Sequence, residues 1–354
     1  MDTVTQILLG AAVGKAVLGR GAGRKALAWG GLCGLLPDLD VLVPLGDAVK
    51  NFTYHRGPSH SLFVMALFTP LLVRLILRLH PGETVRRRRW YAGVFLALGT
   101  HTLLDCFTVY GTQILWPLPT PPVMWSTLFI IDPAYSLPLL AGVMLAALLP
   151  RKTAAAWRVN LLCLALSTLY LAWSVGAKAH VNEAARTALA RQDIAHEGLL
   201  TVPTAFNTLL WRVLAMDADG YYEGFYSLLD PGRTLRFTRH ASRPELLANL
   251  AGHWPVERLR WFTHGFYAVS REGESIVMTD LRMGMEPDYF FRFRVGEVVD
   301  DRIRPADSRR MPRGAPRRDQ LHRIWQLLTA SSERIAAKSR LELPCVCIFL
   351  FFHG

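Results

Sequence analysis

Four short polar islands interrupt otherwise apolar sequence: Pro37-Asp38-Leu39-Asp40, His55-Arg56-Gly57-Pro58-Ser59-His60, His101-Thr102-Leu103-Leu104-Asp105 and Ile131-Asp132-Pro133. Carboxylates and imidazoles beside long apolar runs are costly unless they face a protein interior or a wet cavity, so they mark function. All are side chains that bind divalent metals. His101 and Asp105 are four apart and project from one face of a helix, where they can share an ion. Asp38 and Asp40 follow a proline, where a helix should stop and irregular backbone can aim carboxylates inward. His55 and His60 bracket Gly57-Pro58, a turn that can bring two imidazoles together. Asp132 has the position of a helix N-cap before Pro133 and is a seventh candidate ligand.

Imidazole and carboxylate donors without thiolates suit zinc first, with manganese or iron as alternatives. The supply exceeds four, enough for two metals sharing a carboxylate. Such a centre activates water and polarises a phosphoryl or carbonyl oxygen. The candidate catalytic residues are Asp40, as a spare carboxylate base, together with His60 and Arg56. Arg56 has the donor fork for a substrate phosphate or carboxylate, or it sits at the membrane interface. Ser59 abuts His60 but has no G-x-S-x-G elbow, so a capping or hydrogen-bonding role suits it better than nucleophilic attack. No P-loop or Rossmann glycine pattern is present, which argues against nucleotide-driven chemistry.

The elements that must position these groups divide the 354 residues into unequal halves. Residues 1–176 are hydrophobic runs punctuated by Gly and Pro. Segments 61–79 and 157–176 approach the ~20 residues that cross a bilayer. Segments 90–108 and 128–149 qualify with polar residues inside them, and 4–19 and 26–45 are shorter or broken at Pro37. The expectation is a polytopic α-helical membrane bundle of about six hydrophobic segments, or four crossings plus a re-entrant hairpin. Gly10-x-x-x-Gly14 is a close-packing pattern of low specificity.

The net charge of +12 sits largely in clusters between apolar runs: Arg20, Arg24 and Lys25; Arg86–Arg89; Arg151, Lys152 and Arg158. That reads as topology with these connections cytoplasmic, not as a nucleic-acid surface. The islands then share the outer face, with the soluble domain on the same periplasmic side. Trp116, Trp125 and Tyr110 suit an interfacial aromatic belt. The start at Met1-Asp2 lacks the basic region of a secretory signal, so no cleavage is expected.

Residues 177–341 read as a soluble α+β domain. Helices are expected at 180–200, 242–251 and about 316–340. Strands are expected at 209–216, 221–229 and 288–296, with RWFTHGFYAVS and SIVMTDLRM as a hairpin around Arg271–Glu274. The stretch 302–318 reads as an exposed connection. Residues 342–354 form an apolar tail with Cys345 and Cys347. Five scattered cysteines do not make a disulfide framework.

MDTVTQILLGAAVGKAVLG, LLPDLDVL, HRGPSHSL, GTHTLLDCFTVYGTQILWP and IDPAYSLPL occur in this order. Together they resemble the YdjM/YbcI-like family of membrane-bound metal-dependent hydrolases. PTAFNTLLWRV, YYEGFYSLLD and MTDLRMG look like its longer members, so the resemblance covers roughly residues 1–300. It implies a bacterial inner-membrane hydrolase with Asp38, Asp40, His55, His60, His101 and Asp105 as metal-binding residues and Asp132 as a further candidate. Ser59 stands where Thr is more often expected. The expected partners are membrane lipids and an ester substrate, a phosphoester or other ester of a lipid or envelope precursor, with no nucleic acid. The rivals are an ion- or proton-coupled transporter and a noncatalytic anchor that presents the soluble domain to a protein partner.

Overall fold

The computed structural model describes residues 1–150, 154–230, 232, 234–313 and 327. The chain begins with α1 (Thr3–Leu18), capped by the Asp2 carboxylate on Thr5 N–H, and α2 (Arg24–Leu35) packs antiparallel to it. Glycine sets their separation. A Cβ on Gly10 would fall 2.3 Å from the Gly30 carbonyl oxygen, and one on Gly34 would fall 2.2 Å from the Gln6 oxygen. Small residues at i and i+4 on both helices thus let the backbones touch. Pro37 ends α2, and residues Leu36–Leu42 tighten into a 3₁₀ turn.

A short helix α3 (Ala48–Tyr54) and a 3₁₀ turn at Pro58–His60 lead into α4 (Leu62–Leu79), whose N-terminal N–H groups are capped by the Ser61 hydroxyl. The next helices are α5 (Arg87–Cys106), α6 (Pro133–Leu148), with Asp132 as its N-cap, and the 38-residue α7 (Ala154–Arg191). The expected bundle of about six crossings is corrected here. Among the described residues two helices, α4 and α7, are long and apolar enough to cross a membrane. Only 28% and 17% of their apolar windows are buried, unlike the core helices of a soluble protein.

The other segments fall short for identifiable reasons. Helices α1 and α6 have 16 residues each, about 24 Å of helix against a hydrocarbon core of about 30 Å. Helix α2 is cut to 12 residues by the turn at Pro37. Helix α5 is long enough but spends its first turn on Arg87–Arg89 and its last on buried His101 and Asp105.

Helix α7 continues past its apolar stretch and packs Ala177, Val181 and Ala185 against Trp211 and Val213 of the C-terminal half. There, β1 (Gly198–Pro203), β2 (Leu210–Asp217), β3 (Gly220–Ser227) and β4 (Phe237–Ala241) form one antiparallel sheet in sequential order. Helix α8 (Trp254–Thr263) precedes β5 (Tyr267–Glu272), β6 (Ser275–Asp280), the ribbon β7 (Gly284–Met285) and β8 (Asp288–Tyr289), β9 (Arg292–Val299) and β10 (Arg302–Arg310). The second sheet has the order β10-β9-β6-β5.

Several local expectations change. RWFTHGFYAVS begins as the end of α8, which closes at left-handed His264 (φ 55°), and only then becomes β5. Arg302–Arg310 is an edge strand of the second sheet, with a bulge after Pro305. Charges and a proline at a bulge are how sheet edges avoid further pairing. The helix at 180–200 ends at Arg191, and the 242–251 helix is a 3₁₀ turn at Pro244–Leu250. The helix expected at 316–340 lies outside the described residues except for position 327, and the tail with Cys345 and Cys347 lies wholly outside them.

The two halves share a core. Val49 and Phe52 of α3, with Val109 and Tyr110, are buried among Leu259, Phe262, Ile276 and Phe293 of the sheet half. Tyr110 is therefore a core residue whose hydroxyl donates to the Phe52 carbonyl at 2.7 Å, not part of an interfacial belt.

Candidate metal centre

Three elements converge near the start of α4. The Pro37 turn supplies Asp38, the 3₁₀ turn before α4 supplies His60, and the last turns of α5 supply His101 and Asp105. One donor atom from each lies within 4.8 Å of the other three. His60 Nε2 is 3.1 Å from His101 Nε2, 3.4 Å from Asp38 Oδ1 and 3.2 Å from Asp105 Oδ2. His101 Nε2 is 3.5 Å from Asp38 Oδ1 and 3.6 Å from Asp105 Oδ2. Ligand bonds of ~2.0–2.1 Å in a tetrahedral zinc site would separate the ligand atoms by about 3.4 Å. The donor set fits.

The hydrogen bonds behind the ligands decide what the facing atoms carry. His101 Nδ1 lies 2.8 Å from the Gly34 carbonyl, an acceptor, so Nδ1 holds the proton and Nε2 presents a lone pair. The Ser59 hydroxyl donates to Asp40 Oδ2 at 2.6 Å, which leaves its oxygen to accept from His60 Nδ1 at 2.9 Å. His60 Nε2 is then bare as well. With both rings neutral, two imidazole lone pairs face two carboxylate oxygens with no proton between them. Asp105 Oδ2 is buried and accepts no well-formed hydrogen bond, although Arg56 Nε stands 3.2 Å away. In that neutral state the arrangement is repulsive; a metal ion resolves it, as does a proton on His60, whose pKa burial lowers but Asp105 and Asp38 raise by more.

Three of the four side chains are fully buried, and Asp38 is 13% exposed, so solvent approaches from the Asp38 side. Burial works to raise the Asp38 carboxyl, but hydrogen bonds to His101 and His60 outweigh it and hold the group below the usual carboxylate range. The second oxygen of Asp105 accepts from Gln6 Nε2 at 2.8 Å and pairs with the Met1 amine. Gln6 also donates to the His101 carbonyl. Neither Gln6 nor the Gly34 carbonyl stands out in the sequence as part of a site. A lone glutamine in the apolar run 4–19 was the available signal for the first, while a backbone acceptor leaves none.

The other candidates lie outside this four-atom set. Asp40 stands behind His60, where it takes Ser59 Oγ, the Arg56 N–H at 3.1 Å and His55 Nδ1 at 2.7 Å. Burial raises its pKa, but His55 and then His60 and Ser59 reverse that, and the net effect is a depressed pKa. A carboxylate so held is a weak base at neutral pH and serves better to orient its neighbours. His55 reaches Asp40 rather than the cluster, its ring centre 6.0 Å from that of His60. Asp132 caps α6 through Ala134 N–H and receives the Tyr170 hydroxyl at 3.0 Å. Arg56 adopts φ 63°, uncommon for a side-chain-bearing residue, and is buried over the Tyr110 ring with Nη1 on Thr108 Oγ1.

The model of the YdjM inner membrane protein family matches residues 1–181, which include every residue of this centre. The chain belongs to the YdjM inner membrane protein family. The chain is also similar to the uncharacterized protein YfhP of Bacillus subtilis (strain 168), at 29% identity over 150 residues. That match covers 40% of this chain and 45% of YfhP, so the chain spans less than half the length of that relative. No solved structure matches it at comparable stringency. Membership brings an inner-membrane setting, and the geometry adds a cluster able to hold a metal ion.

Proposed function

We propose that this YdjM-family protein is a membrane-bound metal-dependent hydrolase of an ester, above all a phosphoester in a lipid or envelope precursor. The observation that carries the reading is the convergence of two imidazole Nε2 atoms with two carboxylate oxygens, all within 4.8 Å of one another. Asp38, His60, His101 and Asp105 would hold zinc, with manganese or iron as alternatives for the same donors. The metal, when bound, supplies Lewis acidity toward a phosphoryl oxygen and a water of lowered pKa. Hydrolysis places the water hydroxyl on phosphorus and its proton on the departing alkoxide.

The surrounding side chains have separable roles. His55, paired through Nδ1 with Asp40 and lining an open cleft, is the group to accept or pass that proton at Nε2. Arg56 places a fixed positive charge beside Asp105, where charge builds on the phosphoryl group. Arg74, Arg78 and Arg86–Arg89 gather at the far end of α4 from the centre, and Arg158 is near the start of α7. By the positive-inside preference those ends are cytoplasmic, and the centre and sheets are periplasmic.

Elemental analysis of the purified full-length protein tests this directly. Stoichiometric metal is expected in the wild type and its loss in His101→Ala and Asp105→Ala. His55→Gln should keep the metal yet slow hydrolysis of bis(p-nitrophenyl) phosphate by about 100-fold, the scale of a lost proton-transfer group. Wild-type protein without metal, or His101→Ala and Asp105→Ala with unchanged metal and activity, sinks the reading.

A further inference from the structure

Beside the metal centre runs a cleft of about 860 Å³, with Asp40, His55 and Ser59 on one wall. Those three residues aim His60, so the cleft and the centre share a partition. The apolar lining is the run Val41–Leu45, closed onto α3 by the Leu45 N–H on Asn51 Oδ1 at 2.7 Å. Tyr54 and Pro58 complete the lining. The run is apolar yet bare: Val41, Leu42 and Val43 are 69%, 73% and 60% exposed. Contiguous exposed apolar surface of this kind marks a binding groove or a membrane contact.

Two further observations fix the occupant. The cleft borders the Pro58–His60 turn, immediately before α4, one of the two helices apolar enough to cross a membrane. It therefore opens at the level where lipid headgroups meet acyl chains. Its polar lining is Asp40, Lys50, Asn51, His55 and Ser59, in which Lys50 is the cation and the Asp40 carboxylate is taken up by His55 and Ser59; buried Arg56 stands beyond the lining, beside Asp105. Apolar walls leading to cations and a metal-competent cluster suit an amphiphile with an anionic head.

We propose that this cleft is the chain-binding subsite of the enzyme and holds one long alkyl, acyl or prenyl chain of a phosphate-bearing lipid. The phosphate lies toward Asp38 and Arg56. The assignment rests on the metal-centre reading for the head, but the chain site can be observed without turnover. It makes Val41–Leu45 the determinant of chain length and gives the exposed apolar run a purpose beyond resting on the bilayer.

The test is photolabelling of full-length, metal-loaded protein in phosphatidylcholine nanodiscs, with hexadecyl phosphate carrying a mid-chain diazirine. Label is expected on residues 41–45 or Tyr54. Unlabelled hexadecyl phosphate should compete and butyl phosphate should not. The double variant Leu42→Glu/Val43→Glu should lose label by at least about tenfold, because a bound chain would have to desolvate two carboxylates. Leu229→Glu, at an exposed apolar residue of the sheet half, should label like the wild type. Label confined to bilayer-facing Leu67 and Leu71 of α4 overturns the proposal, as does equal competition by butyl phosphate. Metal content of the same samples separates the two readings: bound metal with no cleft label removes the chain site and leaves the hydrolase, whereas cleft label without metal supports the chain site and removes the hydrolase.

Discussion

His60 is aimed from behind. Asp40 accepts from Ser59, Ser59 accepts from His60 Nδ1, and only then is Nε2 free to face the cluster. Partners of this kind set the tautomer and basicity of a ligand, and losing one typically weakens metal binding about 10–100-fold. Ser59→Ala should show that loss in a competitive chelator titration, whereas Ser59→Thr, which keeps the hydroxyl, should bind like the wild type. Equal affinity for Ser59→Ala and wild type would remove Ser59 from the relay. The sequence made the residue types legible here, and the i to i+4 spacing paired His101 with Asp105. It could not rank Asp38 over Asp40 or His60 over His55. That ranking depends on the Pro37 turn and the left-handed Arg56, which no periodicity reports.

Helices α1 and α2 act on the centre without contributing a ligand to it. Gly34 lies so close to the Gln6 backbone that a methyl group has no room, and its carbonyl fixes the His101 tautomer. The close approach and the ligand geometry are thus one feature. Gly30→Ala would put a Cβ 2.3 Å from the Gly10 oxygen, an atom that moves only if the helices part. A destabilisation of about 1–3 kcal/mol is expected, seen as a lower Tm in detergent, together with weaker metal retention. An unchanged Tm would show that the pair tolerates separation. One glycine pair, Gly10 and Gly14, is legible in the sequence, and the structure adds its counterpart, Gly30 and Gly34. The six-segment expectation failed at the same scale. Helices α1 and α2 are apolar in large part because they bury each other, whereas Val41–Leu45 and much of α6 stay exposed, and composition does not distinguish a protein neighbour from lipid.

At the scale of the whole molecule, the sheet half grips the element that carries His55 and leads to His60. Phe52 of α3 packs against Tyr110, Phe262, Phe291 and Phe293 with ring centres 4.4–5.3 Å apart. Arg258 of α8 donates to the Thr53 hydroxyl at 3.0 Å, and Ser308 of β10 bonds the Asp47 carboxylate that caps α3. Phe52→Ala should cost about 3–5 kcal/mol and release metal although it touches no ligand. Retained metal in a folded variant would uncouple the halves. Composition divides the two halves near residue 177 but carries no sign of this grip, since aromatic residues more than 200 positions apart carry no mutual signal. The same junction gives the molecule an acid limit. His264, at the end of α8, contacts the Pro122 carbonyl at 2.8 Å. Burial lowers its pKa, with the Pro122 bond and Asp280 opposing and Arg282 reinforcing the shift. The unfolded chain then takes up a proton that the folded chain resists. Stability is complete above the unfolded value of about 6.5 and declines as pH falls below it toward the lowered folded pKa. His264→Asn keeps a residue type that tolerates φ 55° and removes the titration. Between about pH 7.5 and pH 5.5 the wild type should lose more Tm than His264→Asn, and parallel losses would place the acid sensitivity elsewhere.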